Sequence, residues 1–390
     1  MTETNAPLIA SKGIIWAVVL TSSVAAAVLL TAPLLVGEMI QNMGFAPAQA
    51  GYIISAELGG MAFATIPSYF WLGRFAVAKV LKVIFTIFIL GNLATAIYAS
   101  GEVSFEVLFW LRFFVAAAGG SIMILSMTTM RLYHQPEKLY ALWVLGQLIF
   151  GAFWIALLPG VFQASGLFAF YLLVAIMMAM AIPLGRFFPA HLAAAPTEAR
   201  PQTRSSWLMP TVAMLGLFLF YVSLGGMWSF VERIAAASGM TTATIGVVLS
   251  GATLMGVLGA LYAVWLGNRP TKMFIPVVAG LAMLTVSIFI LRGQQSLVSF
   301  AGGAGVFKFC WSFALPFMLG CIARIDENGR MMASVNLIIG GGTALGPAAA
   351  GAVLQLNGSY SQMTDLFIGT SLACLVLMAV LAWRVSRAPD

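Results

Sequence analysis

The two halves of this chain repeat one another at a constant spacing. When segment 44–74 is laid on segment 239–269, Gly44 meets Gly239, Gly51 meets Gly246, Ser55 meets Ser250 and Arg74 meets Arg269. The same offset of 195 pairs Gly146 with Gly341 and Gly151 with Gly346. An offset of half of 390 residues means two copies of one unit in the same orientation. Any fold for the chain has to be built twice and joined once.

The repeated unit is apolar. Hydrophobic residues make up 61% of the chain and charged ones 8%, against about a quarter charged in an ordinary soluble domain. Runs such as 14–36 and 274–291 carry no charge and reach the ~18 residues or more that cross a bilayer core of ~30 Å. A segment in lipid must satisfy its own backbone hydrogen bonds, so these runs read as helices and the chain as an all-α membrane protein. Twelve transmembrane helices are predicted, at 14–36, 49–72, 81–100, 105–130, 139–160, 167–186, 208–231, 242–266, 273–292, 297–322, 331–355 and 365–384. They form two parallel six-helix repeats, residues 1–186 and 208–390. The stretch 187–207, with Pro189, Pro196 and Pro201, is the polar linker. Residues 14–36 are expected to stay as a helix and not to be cleaved as a signal peptide, because the run continues past its small residues and 208–231 is its internal counterpart.

The net charge of +7 is a matter of topology. On one side of the bilayer lie Lys12, Arg74, Lys79, Lys82, Arg131, Lys138, Arg186, Arg200, Arg204, Arg269, Lys272, Arg324, Arg330, Arg384 and Arg387; on the other lie Arg233 and Arg292. That asymmetry over short loops puts both termini in the cytoplasm of a chain expected in the inner membrane. Basic residues so dispersed form no nucleic-acid patch. No loop is long enough for a catalytic domain, and no Gly-x4-Gly-Lys-Ser/Thr motif is present, so neither an enzyme nor an ATP-driven pump is expected. Cys310, Cys321 and Cys374 fall inside helices as small apolar fillers, and His134 and His191 are too few and too far apart for a metal. The methionine pairs Met39/Met43 and Met123/Met127 have the spacing of a Cu(I) site but lack a His or Cys partner. No cofactor is expected.

Three ionisable residues sit deep in predicted helices, where charge is costly: Glu57, Arg112 and Lys308. Glu57 and Arg112 lie at similar depth, so an ion pair between them is expected, serving structure or carrying a proton. Tyr221, Gly225, Trp228 and Glu232 share one helix face, as do Lys308, Trp311 and Ser312, and Asn336, Gly340 and Thr343. Glu38 and Glu232 sit at corresponding helix ends. For any one tryptophan, a place in the interfacial belt or in packing is the simpler reading.

Two parallel six-helix repeats joined by a central inner loop resemble the major facilitator superfamily, over essentially the whole chain. Leu72-Gly73-Arg74-Phe75 is similar to that family's inner turn after its second helix, with Gly73 where the family has aspartate. The second copy, Leu266-Gly267-Asn268-Arg269-Pro270, carries Asn268 in the acidic place. Leu111-Arg112, followed by Gly119-Gly120, looks like the family's arginine before a glycine-rich run. The helix 5 antiporter motif, a mid-helix Gly-Pro, is lacking after Gly151, whereas Gly346-Pro347 stands in the second copy. The resemblance implies a monomeric secondary transporter working by alternating access. It implies that Arg74 and Arg269 sit in turns joining the halves, and that helices 1, 4, 7, 10 and 11 line a central cavity. On it, Arg112, Lys308, Trp311, Tyr221, Trp228 and Asn336 are substrate-binding candidates, and Glu57, Glu38 and Glu232 proton-coupling candidates. Two cavity cations then favour a small organic anion, a carboxylate or aromatic acid, moved with protons. The alternatives are an efflux antiporter for drugs or metabolites and, in another class, a non-transporting membrane sensor or assembly factor.

Overall fold

The computed structural model of the chain describes residues 11–101, 103–133, 136–192, 208–267, 273–326 and 330–387. These residues are helical nearly throughout, with no strand assigned among them. The first expected span is two helices, α1 (Lys12–Ala25) and α2 (Ala27–Gln41), which part at Ala26. The hydroxyls of Thr21 and Ser23 donate to the carbonyls of Ala17 and Val19, one turn back, at 2.7 Å each. Such back-bonding bends a helix. The second span is also broken, into α3 (Pro47–Phe63) and α4 (Thr65–Trp71). Pro67 explains it, having no N–H for the carbonyl of Phe63 one turn earlier.

Next come α5 (Val77–Ala99), α6 (Phe105–Met130) and α7 (Pro136–Ala181). The spans expected at 139–160 and 167–186 are thus one element, interrupted at Gly166, whose φ of 57° and ψ of −153° suit only glycine. A straight helix would separate Trp154 from Phe170 by about 24 Å, yet their ring centroids are 6.4 Å apart. α7 is therefore a hairpin. Its second arm ends at Ala181 in a 3-10 turn, Ile182–Phe187, set off by Pro183. After the linker follow α8 (Leu208–Ala237), α9 (Thr242–Gly267), α10 (Phe274–Ile290), α11 (Leu297–Ile325), α12 (Arg330–Asn357) and α13 (Tyr360–Arg387). Among the described residues nine helical segments are long and apolar enough to cross a membrane, the α7 hairpin counting as one of them. The chain is a multi-pass membrane protein.

Gly13 lies against Phe187, and the amide of Val77 donates to the carbonyl of Ala190 at 3.0 Å. These contacts gather one end of the bundle, here called proximal, around the start of the linker. At the opposite, distal end, Arg292 binds Asp365 at 2.6 and 3.0 Å, and the amide of Gln295 donates to Ser238 Oγ at 2.9 Å.

Helices before the linker meet helices after it along three seams: α3 on α12, α7 on α9, and α2 on α8. The first two depend on small residues. A Cβ at Gly51 would strike the carbonyl oxygen of Pro347, and one at Gly246 would lie 2.8 Å from the Pro159 ring and 3.1 Å from the carbonyl of Ile155. Ser250 Oγ donates to the carbonyl of Ala152 at 2.8 Å across the second seam. Gly51 and Gly246, paired by the 195-residue offset, therefore do the same work in two seams. The seams run from the distal end towards the middle, whereas α1, α4 and the 3-10 turn pack mainly on α2, α3, α5, α6 and α7. At the distal end the helices before the linker are thus packed against those after it. Gly51→Val should wedge the first seam apart, so that a cysteine pair placed at Gly59 and Ala344, where a Cβ on residue 59 would lie 3.7 Å from that of Ala344, loses most of its cross-linking. Undiminished cross-linking in that variant would refute the role given to Gly51.

Candidate functional site

Two charged centres lie midway along the bundle, and they differ in kind. The first is a closed ion pair. Arg112 on α6 sends Nε and Nη2 to Glu57 Oε2 and Oε1 on α3, both at 2.8 Å, and Nη1 to Asn92 Oδ1 and Thr95 Oγ1 on α5, both at 3.1 Å. Its Cζ lies 4.4 Å from the ring centre of Tyr171 on the second arm of α7. Arg112 and Glu57 are 1% and 2% exposed. A bidentate guanidinium–carboxylate pair with its remaining donors satisfied is the geometry that lets two charges persist away from water. The ion pair expected from sequence is present. Grouping Arg112 with Lys308 around one anion has to be revised, because four of the five N–H groups of Arg112 already have protein acceptors.

The second centre is open in charge. Lys308 on α11 is 6% exposed and lies about 16 Å along the axis from the distal start of its helix. Its Nζ sits 3.9 Å from the ring centre of Trp228 on α8 and 4.3 Å from that of Trp311, one turn along α11. The ion pairs among the described residues are Arg112–Glu57, Arg233–Glu232 and Arg292–Asp365, so no described carboxylate pairs with Lys308. Cation–π contact with two indoles partly replaces its lost water, at up to about 2 kcal/mol or more for a desolvated contact. Beyond these two rings, no hydrogen bond or ion pair from Nζ to a described residue is present.

Of the other candidates, Glu38 and Glu232 are brought to one cavity by α2 and α8 at the distal end. Tyr221 is buried on α8 beside Gly342. Gly225, on the same face, packs on the backbone of Thr343, so that stripe meets three different helices along its length. Asn336 is exposed on α12, and its face-mate Gly340 packs on Ala62. Arg74 is exposed in the turn between α4 and α5, and Arg269 lies outside the described residues. Sequence reading passed over Asn92, Thr95 and Tyr171. Asn92 and Thr95 stand three residues apart, on one face of the stretch 87–97 of α5, which is otherwise apolar, and that spacing was the available signal.

No protein-family model matches the sequence, and no curated protein matches it. Among solved structures, the nucleoside transporter NupG superposes with a TM-score of 0.66 at 15% identity, over 96% of this chain and 100% of that one. The POT family transporter PepTSo superposes with a TM-score of 0.72 at 11% identity, over 97% and 99%. A POT family transporter in complex with a thioalcohol-conjugated peptide gives 0.67 at 13%, over 94% of both chains. Matches across whole chains at such identities establish architecture. This chain has the fold of these transporters, the major facilitator fold.

Proposed function

We propose that the protein is a secondary transporter of small organic anions, aromatic carboxylates first among them. The observation that carries this reading is Lys308: a buried ammonium between two indole faces, with no described carboxylate beside it. A carboxylate at the free side of Nζ would neutralise it, and a ring carried by that carboxylate would extend along Trp311, which is half-buried. Arg112 is committed to Glu57 and does not share the anion.

The seams support alternating access as the mechanism. Residues 1–186 and 208–390 act as two parallel six-helix repeats of twelve crossings in all, joined by 187–207, and they rock about the site between them. With both termini in the cytoplasm, the packed distal end is the outer one and the site is reached from the cytoplasmic side. Glu57 is assigned the coupling proton. Protonating it would release Arg112, held meanwhile by Asn92, Thr95 and Tyr171, so proton uptake and a shift of α6 against α3 are linked.

Counterflow in proteoliposomes tests the reading without knowledge of the driving ion. Vesicles loaded with benzoate or phenylacetate should accumulate trace labelled compound transiently, and vesicles loaded with benzylamine should not. Amine counterflow without carboxylate counterflow would replace the anion carrier with an exporter of cations. Counterflow of neither class by folded protein would reject both.

A further inference from the structure

At the distal end an 80 Å³ cavity lies between α2, α7 and α8 and is lined by Glu38, Gln41, Asn42, Gln163, Glu232 and Thr242 among others. Glu232 is 1% exposed, and its Oε2 has no hydrogen-bond partner among the described residues. The nearest cation, Arg233 Nη1, stands 4.0 Å away, too far for a hydrogen bond. Glu38 accepts from Asn42 through Oε2 at 2.7 Å, which leaves Oε1 without a described donor. The Glu232 carboxylate presses on Gly37, where a Cβ would collide with its Oε2. A buried carboxylate that lines a cavity and has no hydrogen-bond donor among the described residues is an expensive arrangement unless it takes up a proton or a cation occupies the space.

The kind of occupant follows from charge and donor type. The charged groups acting on one another here are Glu38, Glu232 and Arg233, which carry a net charge of minus one when both carboxyls are ionised. The other polar lining groups are amides and a hydroxyl, all hard oxygen donors, with no sulfur or imidazole among them. Hard oxygen donors suit alkali and alkaline-earth ions. With both carboxyls ionised the charge is balanced by one monovalent ion, and no group of three or more acidic, histidine or cysteine ligands exists among the described residues.

We infer that this cavity is a binding site for one alkali cation, held between Glu38 of α2 and Glu232 of α8. The two carboxylates come from opposite sides of the α2–α8 seam, so a cation touching both is bound fully only while the distal end is closed. Without the cation the like charges oppose that closure. Occupancy therefore favours the distally closed state, and the ion acts as a latch separate from the Lys308 cage. The inference does not depend on the anion-carrier reading.

The test is sodium binding by the purified full chain at pH 8 without any substrate, so that its failure and that of the carrier reading remain distinct. Labelled sodium should bind in a saturable manner, and unlabelled sodium should displace it. Sodium chloride replacing choline chloride at constant ionic strength should raise the unfolding temperature by at least about 3 °C at saturation. Glu232→Gln and Glu38→Gln should each weaken sodium binding at least tenfold. If one variant fails to fold, the other and the wild-type titration still decide. Displacement of sodium by potassium would support the site. Equal stability in choline and sodium, sodium binding retained in both variants, or a response to pH with none to either alkali ion would overturn it.

Discussion

Arg112→Ala should lower the stability of the protein by about 3–5 kcal/mol, because it leaves the Glu57 carboxylate buried without a counter-charge. Glu57 is 2% exposed, and no hydrogen bond to it from any described residue other than Arg112 is present. Glu57→Gln should also cost stability, by less, since the amide oxygen still accepts one bond while Asn92, Thr95 and Tyr171 continue to hold the guanidinium. The double variant Glu57→Leu/Arg112→Met removes both charges together and should recover most of the loss. Unfolding temperature and monodisperse yield on size exclusion measure all three. If Arg112→Ala melts at the wild-type temperature, the pair is not what holds α3, α5, α6 and α7 together. Function separates the variants further: well-folded Glu57→Gln should carry out counterflow but lose proton-driven accumulation. Full accumulation by that variant would remove Glu57 from coupling.

That pair was accessible from sequence because an isolated charge in a lipid-spanning helix needs a partner, and depth alone matched Glu57 with Arg112. The glycine pairing was accessible too: Gly51 and Gly246 stand 195 apart and occupy corresponding seams. What could not be read was what surrounds a side chain from other helices. Asn92 and Thr95 accept from Arg112 only because α5 packs on α6, and Tyr171 reaches it only because α7 folds back at Gly166. Trp311 was placed with Lys308 by helical periodicity, which acts within one element. Trp228 joined the same list for its place on α8, but its contact with Lys308 depends on how α8 crosses α11. The split of the first two spans was likewise hidden, since hydropathy is blind to Pro67 and to the bonds of Thr21 and Ser23. Periodicity, in short, reports faces, and only packing reports which faces meet.

The cage at Lys308 has the opposite energetic character from the Arg112 pair, and mutation should show it. Lys308 has no described acid to strand, so Lys308→Met should leave stability unchanged or raised: it replaces a desolvated ammonium by an apolar chain of similar length between the same two indoles. Binding should respond in the other direction. A charge-assisted contact between a carboxylate and Nζ is worth about 1.5–3 kcal/mol after solvation. Lys308→Met and Lys308→Ala should therefore weaken binding of an aromatic carboxylate at least about tenfold, the equivalent of 1.4 kcal/mol. Lys308→Arg keeps the charge but spreads it over a planar fork that reaches beyond the position of Nζ, so an intermediate loss is expected. Trp228→Leu should weaken the same ligand by loosening the ammonium's position while leaving its charge in place. Isothermal titration on purified protein reads the affinities, and a melting curve on each sample reads the fold. A structural lysine would give lower melting temperature with unchanged affinity per folded molecule. The substrate-binding lysine proposed here gives unchanged melting and lost affinity, and a preference of the wild-type cage for amines over carboxylates would defeat it whatever the variants do.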